Sequence, residues 1–93
     1  MSRRDDLLNA ALLLAETHGY DRVSRRMVAD ACGCSDALLS HYWTAPGLQA
    51  AILGLAVERG NHTVLAQGLS ARHPTALAAP EGLRAAAAAS LLS

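Results

Sequence analysis

Two segments, each about two helical turns long, meet at Cys32-Gly33-Cys34-Ser35, and this joint constrains the fold more than any other feature of the sequence. Ser24 and Ser35 open the two segments, and a serine hydroxyl at a helix start accepts a backbone N–H that has no partner within the helix. Gly33 ends the first segment and allows the chain to reverse without a side-chain clash. Two short helices joined in this way have the spacing of a helix-turn-helix. Leu39 and Trp43 lie four residues apart, share a helix face and are expected in a core.

The flanking sequence extends the helical pattern. A first helix is predicted from Arg3 to His18, capped by Ser2 with Asp5 three residues later and stopped by Gly19. Leu7, Leu8, Ala11, Leu12, Leu14 and Ala15 form its apolar stripe. Tyr20-Asp21-Arg22-Val23 connects it to the second helix. Thr44-Ala45-Pro46-Gly47 is expected to separate the third helix from a fourth, with Pro46 tolerated in the first turn. Leu48, Ala51, Ile52, Leu55 and Ala56 give the fourth helix its apolar side. Its pattern is read as continuing to Leu69, although Gly54, Gly60 and Gly68 each weaken it by about 1 kcal/mol relative to alanine. Pro74 and Pro80 punctuate the tail, and a last helix is predicted from Glu81 to Leu92. The chain is 52% hydrophobic but only 3% aromatic. Alanine and leucine dominate, so helices are well supplied and strands are not. The expected fold is all-α. Ninety-three residues form little core, so a partner chain would help bury apolar surface.

Formal net charge is zero, and all eight basic residues are arginine. The total does not announce a polyanionic partner, so the distribution decides. Ser24-Arg25-Arg26 gathers a hydroxyl, two guanidinium groups and free backbone N–H groups at one helix start, which suits an anion; a solvated surface turn is the plainer alternative. No catalytic constellation is present. His18, His41, His62 and His73 are scattered without a well-spaced carboxylate, and no glycine-rich loop follows a strand. Cys32 and Cys34 lack zinc-site spacing and do not easily bridge each other, so they read as small buried thiols in a reducing compartment. No enzyme activity, metal or cofactor is expected. No apolar run reaches the roughly 18–20 residues of a membrane span, and acids follow Arg3 and Arg4 at once, unlike a secretory signal. A cytoplasmic location is expected.

Ala10-Ala11, Gly19-Tyr20, Ser24, Val28-Ala29, Ala31, Gly33, Ser35, Leu39, His41-Tyr42-Trp43 and Leu48 fall in one register. Over residues 3–53 that register resembles the N-terminal helix-turn-helix domain of TetR-family transcriptional regulators. The resemblance implies a homeodomain-like three-helix unit, followed here by a fourth helix and a short helical tail. It implies double-stranded DNA as partner and a homodimer on a palindromic operator. It places the recognition helix from Ser35 to Trp43. By position, Ser24, Arg25 and Arg26 would approach the DNA backbone. Ser35 opens the recognition helix; Asp36, Ala37, Leu38 and Ser40 would face base edges; His41 and Tyr42 would contact phosphate. Arg3 and Arg4 would form a flexible arm along the backbone or in the minor groove.

The sequence departs from the family pattern at four places. Ser40 stands where the family usually has a phosphate-holding tyrosine. Ala45-Pro46-Gly47 replaces a usual basic residue before the fourth helix, and the connector looks one residue short. Asp36 stands where lysine is frequent. No lysine or arginine occurs from Met27 to Glu58. Residues 1–53 are thus expected to form the DNA-binding domain. Residues 54–93, too few to enclose a ligand pocket of about 300–1,000 Å³, would be a helical extension for dimerisation or partner binding. Leu55, Val57, Val64, Leu65, Leu69, Leu77, Leu83, Leu91 and Leu92 are its candidate surface, with packing inside one chain as the alternative. No small-molecule effector is expected. The leading reading is a small repressor acting as a dimer. The other is an interaction module or inhibitor that uses the same scaffold to bind a protein partner.

Overall fold

Local capping sets most of the architecture. The computed structural model describes residues 2–91, and within them the chain is all-α, without strands. Helix α1 spans Arg3–His18, a 3-10 turn covers Tyr20–Arg22, and α2 (Arg25–Cys32) and α3 (Asp36–Tyr42) form the helix-turn-helix. Helices α4 (Ala45–Arg59), α5 (His62–Ser70), α6 (Pro74–Leu77) and α7 (Glu81–Ser90) follow. The hydroxyls of Ser2, Ser24, Ser35 and Thr44 each accept the backbone N–H three residues on, at 3.0–3.3 Å. Gly33 takes the left-handed conformation (φ 66°, ψ 34°), and the Cys34 N–H returns to the Ala29 carbonyl at 2.9 Å. With the Gly33 N–H to the Asp30 carbonyl at 3.4 Å, this bond closes the end of α2 and lets α3 leave at an angle.

Three expectations about element boundaries are corrected. The break between α3 and α4 is only Trp43-Thr44, because Thr44 caps α4 and Ala45-Pro46-Gly47 is its first turn. Proline fits there because a first-turn residue has no helical acceptor for an N–H. The fourth helix does not run to Leu69. Gly60 enters the left-handed region (φ 63°), Asn61 caps a new helix through its side-chain oxygen to the Val64 N–H at 3.0 Å, and α5 turns back. The last helix ends at Ser90; Leu91 is in the turn that follows, and Leu92 lies outside the described residues.

The turn at Gly60 decides where the core sits. Leu7, Leu8, Ala11, Leu12 and Ala15 of α1 pack with Val28, Leu39, Trp43, Leu48, Ile52, Leu53 and Val64 in one apolar cluster. Leu14, placed on the same stripe, is half-buried, and Leu13 beside it is exposed. A smaller cluster joins Leu65, Ala66, Ala76, Ala79 and Ala87, so α6 and α7 close over α5. Gly68 makes that closure possible, since a Cβ there would sit 2.7 Å from a Leu53 methyl and 2.8 Å from the Ala76 Cβ. Among the proposed interaction residues, Val64 and Leu65 are fully buried by their own chain, so they are withdrawn from any exposed surface. Leu55, Val57, Leu69 and Leu83 are half-buried, whereas Leu77 and Leu91 are exposed. Cys32 and Cys34 are unpaired and half-buried rather than buried, lying at the edge of the main cluster.

Candidate nucleic-acid interface

The recognition face follows from the burial of Leu39 and Trp43. With those two side chains inside, the remaining faces of α3 turn outward: Asp36, Ala37, Ser40 and His41 are exposed, and Leu38 and Tyr42 are half-buried. Ser35 is committed to capping, and the Ser40 hydroxyl donates back to the Asp36 carbonyl at 3.2 Å. The outer surface of α3 is therefore shallow. Its free polar groups are the Asp36 carboxylate and the His41 imidazole, and Ala37 offers a methyl.

Basic side chains from α1, the 3-10 turn and α2 lie near this face. The α2 start sits beside the α4 start across a surface cleft of about 320 Å³ lined by Arg22, Ser24, Arg25, Arg26, Asp36 and Ala45, among others. Both helix starts carry the partial positive charge of unpaired N–H groups. Asp21 and Asp36 on the same cleft offset part of the three guanidinium charges. Arg26 is exposed, while Arg25 is half-buried and donates from Nη1 to the Trp43 carbonyl at 3.2 Å. That bond ties the start of α2 to the end of α3 and still leaves other guanidinium N–H groups for an anion.

Arg3 and Arg4 are not an arm outside the fold. Ser2 caps α1, so both occupy its first turn. The Arg4 guanidinium lies 5.2 Å from the centre of the Trp43 ring and 4.0 Å from the Asp5 carboxylate. His41, Tyr42 and Trp43 stand in a row of ring contacts, with centroids 5.3 Å and 5.6 Å apart. The structure thus brings Arg4, Arg25 and Trp43 together at the end of α3.

Arg22, Thr44 and Gln49 enter the site without having been singled out in the sequence. Arg22 closes the 3-10 turn, and its spacing of three from Arg25 was the available signal. Thr44, expected within a connector, caps α4 instead. Gln49 donates to the Asp21 carbonyl at 3.3 Å, a contact across 28 positions that no local pattern carries. Burial, and secondarily the Asp21 carboxylate, push the Tyr20 phenol above its ordinary range behind this surface. Burial also raises the Cys32 thiol, with Cys34 and Asp6 adding to the rise and Arg3 opposing it.

Among the described residues, no group of three or more His, Cys, Asp or Glu side chains could hold a metal ion. No helix among them is long and apolar enough to cross a membrane. No curated protein and no solved structure matches the chain. The family model of bacterial regulatory proteins, tetR family, matches residues 7–45, which run from α1 through the helix-turn-helix to the first residue of α4. Residues 7–45 of this chain thus carry a helix-turn-helix similar to the N-terminal DNA-binding domain of the TetR family.

Proposed function

We propose that the protein is a transcriptional repressor that binds a palindromic operator as a homodimer, and that it has no catalytic activity. The observation that carries the reading is the outward face of α3, with Asp36, Ala37, Ser40 and His41 exposed beside the guanidinium groups of Arg22, Arg25 and Arg26. Each chain has one such helix, so it reads one half-site, and a two-fold dimer reads two. Residues 1–53 would make the DNA contacts. Residues 54–93 would carry the dimer contacts, with the exposed Leu77 and Leu91 available to them.

In this reading Ser24, Arg25, Arg26 and Arg22 hold the backbone at the α2 start, and Thr44 presents the α4 start to the same strand. Arg3 and Arg4 contact an adjacent phosphate. Asp36 accepts from a cytosine or adenine amino group, and Ala37 and Leu38 meet a thymine methyl. Ser35 acts through its cap; Ser40, His41 and Tyr42 line the rest of the surface. With Asp36 on the face and no lysine in the chain, affinity rests on few phosphate contacts, so it is modest and needs both half-sites.

Selection from a random duplex pool, followed by fluorescence polarisation at low and moderate salt, tests the proposal. The expected result is an inverted repeat with half-site centres about 34 Å apart, bound with affinity that falls steeply with salt. Failure to retain any duplex at low salt overturns it.

A further inference from the structure

We infer that Trp43 is a positioning residue for DNA binding, its indole face holding the Arg4 guanidinium beside the recognition helix. The inference rests on the DNA reading above and goes beyond it by assigning a task to a residue that touches no nucleic acid.

Trp43 occupies the junction of three elements. It ends α3, its N–H closes the last turn onto the Leu39 carbonyl at 3.0 Å, and its side chain is almost wholly buried in the main cluster. The carbonyl of the same residue accepts the Arg25 guanidinium at 3.2 Å. Over its ring stands Arg4, reaching from the first turn of α1, at 5.2 Å from the centroid. One residue therefore contacts an arginine from α1 and an arginine from α2 at the end of the proposed recognition helix.

The physical consequence is pre-organisation. A free arginine side chain has about 2 kcal/mol of rotamer entropy to lose when it is fixed. A guanidinium already resting on an indole face has lost part of that freedom before the phosphate arrives. Indole is the strongest of the aromatic faces for a cation. The Asp5 carboxylate at 4.0 Å is a competing partner, but the side chains of that pair are 49% and 62% exposed, and such a pair is weak. The ring, fixed by the core, is the constraint that sets direction.

Trp43 is the one tryptophan of the chain, so its fluorescence reports the contact without DNA. Arg4→Ala is expected to red-shift the emission and raise acrylamide quenching of the free protein, because the ring face loses its cover. With the selected operator, Arg4→Ala should lower the salt slope by about one per protomer. Trp43→Leu should weaken binding by about two- to fivefold when Arg4 is present and add nothing in the Arg4→Ala background. Trp43→Phe, which keeps an aromatic face and guards against loss of the fold, should retain most of the affinity. Equal losses from Trp43→Leu with and without Arg4, or unchanged quenching in Arg4→Ala, would overturn the inference. If the wild-type chain binds no duplex, the DNA reading fails and this assignment with it, even where the quenching change is present. If it binds and the cycle is additive, only this assignment fails.

Discussion

The side-chain oxygen of Gln67 accepts the backbone N–H of Tyr20 at 2.8 Å, and its amide nitrogen donates to the Ala15 carbonyl at 3.0 Å. One amide from α5 thus fastens the end of α1 and the turn that follows it. Asn61, whose amide donates to the Glu16 carboxylate at 2.6 Å, makes a second fastening nearby. An edge-to-face contact between the Tyr20 and His73 rings, with centroids 5.8 Å apart, makes a third. The tail is in this way part of the platform that aims the helix-turn-helix.

Gln67→Leu should destabilise the protein by about 1–3 kcal/mol. It leaves the Tyr20 N–H without its partner, whereas the Ala15 carbonyl still receives the Gly19 N–H at 2.9 Å. Urea denaturation followed by circular dichroism measures the loss. An unchanged midpoint and slope would mean that water replaces the amide at no cost.

Two glycines in helix interiors should respond in opposite directions to alanine. At Gly68 a new methyl meets a Leu53 methyl and the Ala76 Cβ, and the latter cannot move without moving α6. Gly68→Ala should therefore cost about 1–3 kcal/mol by overpacking. At Gly54 a Cβ meets nothing within 4 Å, so Gly54→Ala should stabilise by about 0.5–1 kcal/mol through reduced freedom of the unfolded chain. Thermal melts of the two variants beside wild type check both signs.

Arg22→Ala and Arg26→Ala should each lower the slope of log affinity against log salt by about one per protomer, with little change in melting temperature. Arg25→Ala should lower the slope as well and also reduce stability, because it removes the bond to the Trp43 carbonyl. Polarisation titrations across a salt series, paired with melts, separate the two classes.

Alkaline pH should weaken the fold. Both the Cys32 thiol and the Tyr20 phenol are raised above their ordinary ranges, chiefly by burial. In the window above each ordinary value the folded chain keeps a proton that the unfolded chain has released. Stability is then complete below the ordinary thiol range and falls as pH passes it and, further up, the phenol range. Equilibrium denaturation from neutral to alkaline pH should show this fall, and Cys32→Ala should remove its lower part. Alkylation should likewise reach Cys32 more slowly than an unhindered thiol, since the thiolate is the reactive form.

Much of the fold was legible because its determinants are local. Ser2, Ser24 and Ser35 each satisfy an N–H only three residues away, so the starts of α1, α2 and α3 could be placed from the sequence. Gly33 and the Leu39–Trp43 spacing led to the turn and to the inward face of α3 by the same short-range logic. The candidate basic residues of α2 were legible for that reason too. At residues 60–61 the structure breaks what the sequence pattern predicts as one helix, although a glycine and a capping asparagine stand there. Both sides of the break are apolar, with Leu55 and Ala56 before it and Val64 and Leu65 after it, and apolar content alone does not distinguish one long helix from two.

The sequence by itself determined where α1, α2 and α3 begin, which face of each is apolar, and that two of them form a helix-turn-helix. Tertiary structure alone decided that Arg4 rests on Trp43, that Gln67 holds Tyr20, and that Val64 and Leu65 are used up inside the chain. Caps and turns are settled by groups a few bonds apart, whereas these contacts join residues 39 to 47 positions apart in Arg4–Trp43 and Gln67–Tyr20. Such pairs meet only after helix packing has fixed the distances between their backbones.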